Sequence, residues 1–137
     1  MGKYYELILP RTDAEVLALT LGERRRQFSL EAAAAEALSD LVAEARLVPD
    51  HELPADRVAM NSKVTYREEP DGISRAVVLV HPIEADAAAG RISVLSPIGL
   101  ALLGRSVGAR VDADVPGGKL LTIRILDAVR NRVLLAA

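Results

Sequence analysis

The pattern of apolar positions changes character near residue 50. Before it, apolar side chains recur every three or four positions, which is the spacing of one face of an α-helix. After it, short runs alternate apolar and polar residues and are separated by glycine and proline, which is typical of half-buried β-strands. The pattern therefore predicts a helical segment over 1–49, a linker over 50–56 and a β domain over 57–137.

The helical segment is predicted to be a short antiparallel hairpin. Residues 12–15 match a capping box, and Gly22 favours a left-handed stop, so the first helix is expected to span roughly 8–10 residues. A second helix is expected over 29–48, where leucine and alanine form a narrow, coiled-coil-like stripe. Residues 23–28 would then join the two helices.

The β domain is predicted to be a strongly twisted antiparallel sheet with one short helix. Strands are expected over residues 58–66, 73–81, 92–95, 110–115 and 119–129. Ser96 and Pro97 supply an N-cap and a first-turn proline, so a helix of one or two turns should follow and end at Gly104. The fold class is therefore α+β, with the helical hairpin preceding the sheet.

Composition narrows the possible functions. Half of the residues are apolar, so a core can form, and the absence of cysteine excludes disulfides and thiolate chemistry. Aromatic residues are only 3% of the chain, which disfavours base-stacking surfaces, and a net charge of −2 is unlike that of a nucleic-acid binder. No signal peptide or membrane-spanning run is evident, so we expect a cytoplasmic protein with a protein partner.

Motifs for catalysis, cofactors and metals are not found. Gly117-Gly118-Lys119 lacks the spacing of a phosphate-binding loop and reads as a turn before a strand. His51 and His81 are the only imidazoles, and neither belongs to a metal or catalytic motif. The acidic residues over 68–71 are interpreted as a solvated hairpin tip. We expect no catalytic residue, no cofactor and no metal site.

A run of four charged residues lies between the two predicted helices. Glu23, Arg24, Arg25 and Arg26 occupy the tip of the hairpin. Such a run either keeps a turn solvated or makes an electrostatic contact with an acidic protein surface or with phosphates.

A longer motif resembles a known family. The S-P-x-G-x-A-L-L-G run over 96–104, followed by V-G at 107–108 and P-G-G at 116–118, resembles the C-terminal domain of the bacterial Gre transcript-cleavage factors. That domain has an FKBP-like fold. Residues 60–64 and 80–104 are similar to the Rnk-type regulators in particular. The resemblance covers about residues 10–130.

The resemblance implies binding to RNA polymerase at the rim of its secondary channel. The family's contact loop corresponds to Leu95, Ser96 and Pro97, where some Gre factors carry aspartate in place of Leu95. The resemblance also implies that nucleic acid is contacted only through the polymerase and that no membrane is involved. A regulator of this type would compete with Gre factors for the same rim.

The hairpin departs from the Gre pattern in a way that argues against enzymatic activity. In Gre factors, a long coiled coil carries acidic residues that hold magnesium for transcript cleavage. Here the hairpin is short, and Arg24, Arg25 and Arg26 cannot coordinate a divalent cation, which requires oxygen ligands. Prolyl isomerase activity, which the FKBP-like fold suggests, is excluded because Tyr66 is the only aromatic residue of the β domain.

Two alternatives remain open at this level. The first is a self-associating hairpin module that acts on a different protein, because about two turns of the second helix would be left uncovered and the tail over 133–135 is apolar. A monomer is expected under the main hypothesis, with weak self-association open. The second alternative is a metal-dependent, nuclease-like activity.

Overall fold

The computed structural model describes residues 7–27, 32–69 and 72–130. The described residues form a helical hairpin that packs on a curled sheet. The elements in chain order are β1 (Ile8–Pro10), α1 (Arg11–Gln27), α2 (Ala32–Glu44), β2 (Arg46–Val48), β3 (Ser62–Glu69), β4 (Ile73–Val80), β5 (Arg91–Ser93), α3 (Pro97–Leu102), β6 (Arg110–Val115) and β7 (Lys119–Arg130). The predicted α+β class is confirmed.

The first helix is longer than the sequence predicts. α1 has 17 residues and continues through Gly22 to Gln27, so the prediction of a stop at Gly22 is wrong. A Cβ at Gly22 would meet nothing within 4 Å, and the residues that follow have high helix propensity, so a single glycine does not end the helix. Residues 23–27 are helical, and Ser29, at which the second helix was expected to begin, lies outside the described residues.

The second helix is shorter than predicted. α2 has 13 residues and ends at Glu44, so α1 and α2 are about 25 and 20 Å long. The expectation that the second helix extends two turns beyond the first is therefore wrong. The reversed lengths remove the main reason for the self-association alternative.

A short parallel pair of strands closes the base of the hairpin. β1 and β2 pair with Leu9 opposite Leu47, and the Arg46 N–H donates to the Leu7 carbonyl at 2.7 Å. Residues 46–48 therefore leave the helical pattern because their backbone groups pair with a distant segment. The Ile8 N–H donates to the Gly104 carbonyl at 3.2 Å, which ties this base to the β domain.

The main sheet has the strand order β5-β4-β3-β7-β6, and only the β4–β5 pair is parallel. The predicted strands occur, although β3 begins at Ser62 and the residues before it form a loop. Ser62, Val64 and Tyr66 are buried on one face, as the alternation predicts. Gly72 has φ 77° at the β3–β4 turn, which suits glycine.

The apolar core extends from the hairpin into the sheet. Fully buried side chains come from both parts and include Leu9, Leu17, Leu38, Val58, Leu102, Ile123 and Ile125. The division into 1–49, 50–56 and 57–137 remains a prediction about chain organisation, and apolar contacts cross its boundaries. Among the described helices, none is long and apolar enough to span a membrane.

Polar contacts add to the junction between hairpin and sheet. One Asp13 carboxylate oxygen accepts the Met60 backbone N–H at 2.9 Å. Thr12 lies inside α1, and its hydroxyl donates to Asp50 at 2.6 Å, so it is not the predicted cap of the helix. Asp50 also accepts from Arg130 at 3.2 Å. Residues from three distant parts of the chain therefore meet at this junction.

Asp13 is expected to make folding stability depend on pH. Burial raises the pKa of its carboxyl above the ordinary value of 3.8, and Asp50 adds to this, while the Met60 N–H, Arg130 and His81 act in the opposite direction. Between the ordinary and the raised pKa, the folded state binds more protons than the unfolded state, so the free energy of unfolding falls as pH rises. Asp13→Asn should remove this slope.

Urea unfolding of the native protein and Asp13→Asn between pH 3.5 and 7 measures the effect. Asp13→Ala is the matched control: like Asp13→Asn it lacks the titrating carboxyl, but it leaves the Met60 N–H without an acceptor, so it should be about 1–3 kcal/mol less stable than Asp13→Asn at every pH. Identical pH slopes for the native protein and Asp13→Asn would contradict the prediction.

Candidate protein-docking site

The segment before α3 is an ordered loop held by side-chain hydrogen bonds. The Ser96 hydroxyl oxygen accepts the Gly99 N–H at 3.1 Å, which caps α3, and the same hydroxyl donates to the Ser93 carbonyl at 2.7 Å. The Ser93 hydroxyl oxygen accepts the Leu95 N–H at 2.9 Å. With Pro97 as the first residue of α3, the loop has little conformational freedom.

Gly99 allows α3 to lie directly against the end of β5. A Cβ at this position would be 2.2 Å from the Ser93 carbonyl oxygen and 3.1 Å from a Leu79 methyl carbon. Only glycine permits this approach without a shift of the backbone. The sequence analysis included Gly99 in its family motif but assigned no role to Gly99 or to Ser93, although the S-x-x-S-P-x-G spacing over 93–99 contains the signal.

The three residues predicted to contact a partner differ in exposure. Leu95 is only 8% exposed and its side chain belongs to the core, whereas Ser96 and Pro97 are partly exposed. Leu95 therefore anchors the loop, and the Ser96 and Pro97 side chains are those that reach the surface.

Ile83 adds an apolar side chain at the same end of the sheet. It is 89% exposed and lies in a 3-10 turn, Pro82–Glu84, that packs beside β5. Because β4 and β5 are parallel, their carboxyl ends lie at one end of the sheet, so this turn follows β4 where the Ser96–Pro97 loop follows β5. Sequence reasoning did not single out Ile83, because its exposure depends on tertiary structure.

The charged run of the sequence lies on a different element. Glu23, Arg24, Arg25 and Arg26 are all in the last turns of α1, whereas the loop precedes α3. The predicted hairpin tip is thus helical backbone up to Gln27, and residues 28–31 lie outside the described residues.

The acidic residues and histidines of the described part of the chain do not gather into a metal site. No group of three or more histidine, cysteine, aspartate or glutamate side chains there is placed to hold a metal ion. His51 contacts Glu52 at 3.6 Å on the surface, and His81 directly precedes the 3-10 turn of Ile83. Gly117 and Gly118 both have positive φ in the β6–β7 turn, as the turn interpretation requires.

The loop, the capped short helix and the sheet define the class of this protein. The family model for the C-terminal domain of the transcription elongation factors GreA and GreB matches residues 53–130, and the chain belongs to that family. A solved GreA/GreB-type elongation factor from Nitrosomonas europaea has the same fold, with a TM-score of 0.72 and 31% identity. The match covers 90% of this chain and 98% of that one.

Among curated proteins, two relatives illustrate where the chain lies in the family. The regulator of nucleoside diphosphate kinase from Escherichia coli K12 is 36% identical over 93 residues, which are 68% of each protein. GreA from Flavobacterium johnsoniae is 39% identical over 94 residues, which are 69% of this chain and 59% of that protein. The resemblance seen in the sequence to Gre factors and to the Rnk regulator is confirmed.

Proposed function

We propose that this protein is a Rnk-type transcription regulator that docks on RNA polymerase at the rim of the secondary channel and does not cleave transcripts. Its relatives are a regulator and transcription elongation factors. The observation that carries the proposal is the ordered Leu95-Ser96-Pro97 loop within a domain of the GreA/GreB family. Such a regulator acts in the cytoplasm, where the bacterial polymerase is found.

The geometry of the loop supports a docking role. A loop that is already fixed by hydrogen bonds loses little conformational entropy on binding, so more of its contact energy appears as affinity. Pro97 and Ile83 offer apolar contact area at the same end of the sheet, and the Ser96 hydroxyl lies between the loop and the helix that it caps. A small rigid patch of this kind suits the centre of an interface.

Two features support binding without cleavage. A hairpin of about 25 Å is short for an arm that must reach deep into a channel. Its far end carries Arg24, Arg25 and Arg26, and the single carboxylate of Glu23 is too few oxygen ligands for magnesium. The proposed hairpin enters only the opening of the channel, and the protein competes with Gre factors by occupying their rim.

Binding of labelled protein to core RNA polymerase, with GreA as competitor, tests the proposal. GreA should displace the native protein, and Ile83→Asp should weaken polymerase binding at least about tenfold, because a desolvated carboxylate would enter the interface. Leu120→Asp is the matched control: Leu120 is 65% exposed at the opposite end of the sheet, so this variant should bind as the native protein does.

Cleavage is measured on a backtracked elongation complex in the same preparation. We expect no stimulation of cleavage by this protein and reduced cleavage by GreA in its presence. Stimulated cleavage would contradict the non-catalytic part of the proposal. Binding that GreA does not displace, or equal losses in Ile83→Asp and Leu120→Asp, would contradict the docking site.

One observation still favours the alternative of a self-associating hairpin. Val16 and Leu19 are exposed on α1 at a spacing of three residues, so they form a small apolar patch on one helix face. Sedimentation velocity at several concentrations separates the two functions. A monomer throughout removes the self-association alternative, and a dimer that Leu19→Ala abolishes supports it.

A further inference from the structure

Three arginines lie side by side on the outer face of the sheet. In the β3–β7 pairing Arg67 is directly opposite Arg124, and in the β7–β6 pairing Arg124 is directly opposite Arg110. Directly opposed residues of antiparallel strands point to the same face. Because neighbouring strands are about 4.8 Å apart, the three positions form a row about 10 Å wide, which we call the arginine row.

Among the described residues, ion pairs reach only two members of the arginine row, and both pair with the same carboxylate. Glu69, one row away, pairs with Arg110 at 3.0 Å and with Arg124 at 3.5 Å, so one carboxylate serves two guanidinium groups. Within residues 7–27, 32–69 and 72–130, the Arg67 side chain forms no hydrogen bond or ion pair. Opposed like charges destabilise a sheet, and folding alone gives no reason for three in one row.

The same residues line a concave surface. A cavity of about 440 Å³ is bordered by Arg67, Glu69, Gly72, Arg110 and Thr122. This volume lies within the range of small-molecule sites, and guanidinium groups are the side chains that best match the oxygens of phosphate.

We propose that the arginine row binds the phosphate groups of a small phosphorylated ligand. Arg67 donates to a phosphate oxygen, and Arg110 and Arg124 add positive charge beside it, although both are partly neutralised by Glu69. This site is separate from the Ser96–Pro97 loop and does not depend on polymerase binding.

The surroundings favour a compact anion over an extended nucleic acid. Asp112 and Asp114 follow Arg110 on the same face of β6, so a long phosphate backbone would meet carboxylates within two or four residues. Thr122 holds Asp112 through a hydrogen bond of 2.7 Å, which keeps that carboxylate beside the cavity. Among the described residues, the cavity lining has no aromatic side chain on which a base can stack.

Isothermal titration calorimetry with inorganic pyrophosphate at low salt tests this site. We expect saturable binding of one pyrophosphate, and Arg67→Ala should weaken it at least about tenfold. Arg67→Lys keeps the charge but removes the planar guanidinium group that can donate two parallel hydrogen bonds, so it should give an intermediate loss of pyrophosphate affinity. Glu69→Gln removes the competing carboxylate and should tighten binding, whereas a purely structural ion-pair network predicts no gain.

Arg75→Ala is the matched control for charge. Arg75 lies on the neighbouring strand β4, is exposed, and pairs with Glu68, so its removal changes the net charge equally without touching the arginine row. Thermal unfolding confirms that each variant is folded. Absence of saturable pyrophosphate binding, an equal loss in Arg75→Ala, or tighter binding of a single-stranded oligonucleotide than of pyrophosphate would overturn the proposal.

Discussion

Replacing Gly99 with alanine is expected to destabilise the protein by about 3 kcal/mol, the upper end for overpacking, because the new Cβ would meet a backbone atom. The clash would be with the Ser93 carbonyl oxygen, which also accepts the Ser96 hydroxyl. Relief of the clash requires α3 to move away from β5. Such a movement would break the cap that orders the loop, so the proposed polymerase binding should fall together with stability.

The same substitution at Gly22 is the matched control. Gly22 lies within α1 with nothing near its missing Cβ, so alanine should stabilise the protein by about 0.5–1 kcal/mol through helix propensity alone. Urea unfolding of both variants measures the difference. Equal stabilities for Gly99→Ala and the native protein would show that α3 is not held against β5 as described.

Replacing Leu17 with alanine is expected to cost about 2–5 kcal/mol, the range for a fully buried leucine. Leu17 on α1 is fully buried in the apolar cluster that contains Val58 and Ile123 of the β domain. If the hairpin and the sheet share this core, the loss should lower the stability of the whole protein in one cooperative transition.

Leu19 on the same helix provides the control for Leu17. It is 75% exposed, so Leu19→Ala should change the free energy of unfolding by less than about 0.5 kcal/mol. In Leu17→Ala, circular dichroism of the helices and amide exchange of the sheet should report the same midpoint of unfolding. Separate transitions for the two parts would contradict a shared core.

Local chemistry made much of the fold predictable from the sequence. Ser96 and Pro97 specify a helix start through a hydroxyl and a fixed φ, and the structure has that cap. The β6–β7 hairpin was predictable for a similar reason, since Gly117 and Gly118 allow the positive φ of its turn. These signals act within a few residues and require no knowledge of the rest of the chain.

The errors concern interactions between distant segments. Residues 46–48 have a helical apolar pattern, but their backbone pairs with β1. Gly22 has the residue type of a helix stop, but the helix propensity of the residues after it continues α1. Strand pairing in the first case and the helix propensity of the following residues in the second outweighed the preference indicated by the local sequence.

Of the candidate sites, only the one formed by residues that are contiguous in the sequence was predicted. The Ser96–Pro97 loop is contiguous and was found from its motif. Ile83 and the arginine row were not found, because Arg67, Arg110 and Arg124 become neighbours only through strand register. Each is an ordinary exposed arginine when the sequence is read alone.

The β1–β2 pair makes the attachment of the hairpin to the sheet independent of the hairpin's length. Because β1 and β2 join the start of α1 to the end of α2, equal insertions in both helices would lengthen the hairpin and leave the Leu9–Leu47 pair unchanged. Seven residues added to each helix would move its far end outward by about 10 Å and keep the apolar seam in phase. The same β1–β2 base can therefore support helical hairpins of different lengths. The length of the hairpin then sets how far from the sheet the residues at its far end act.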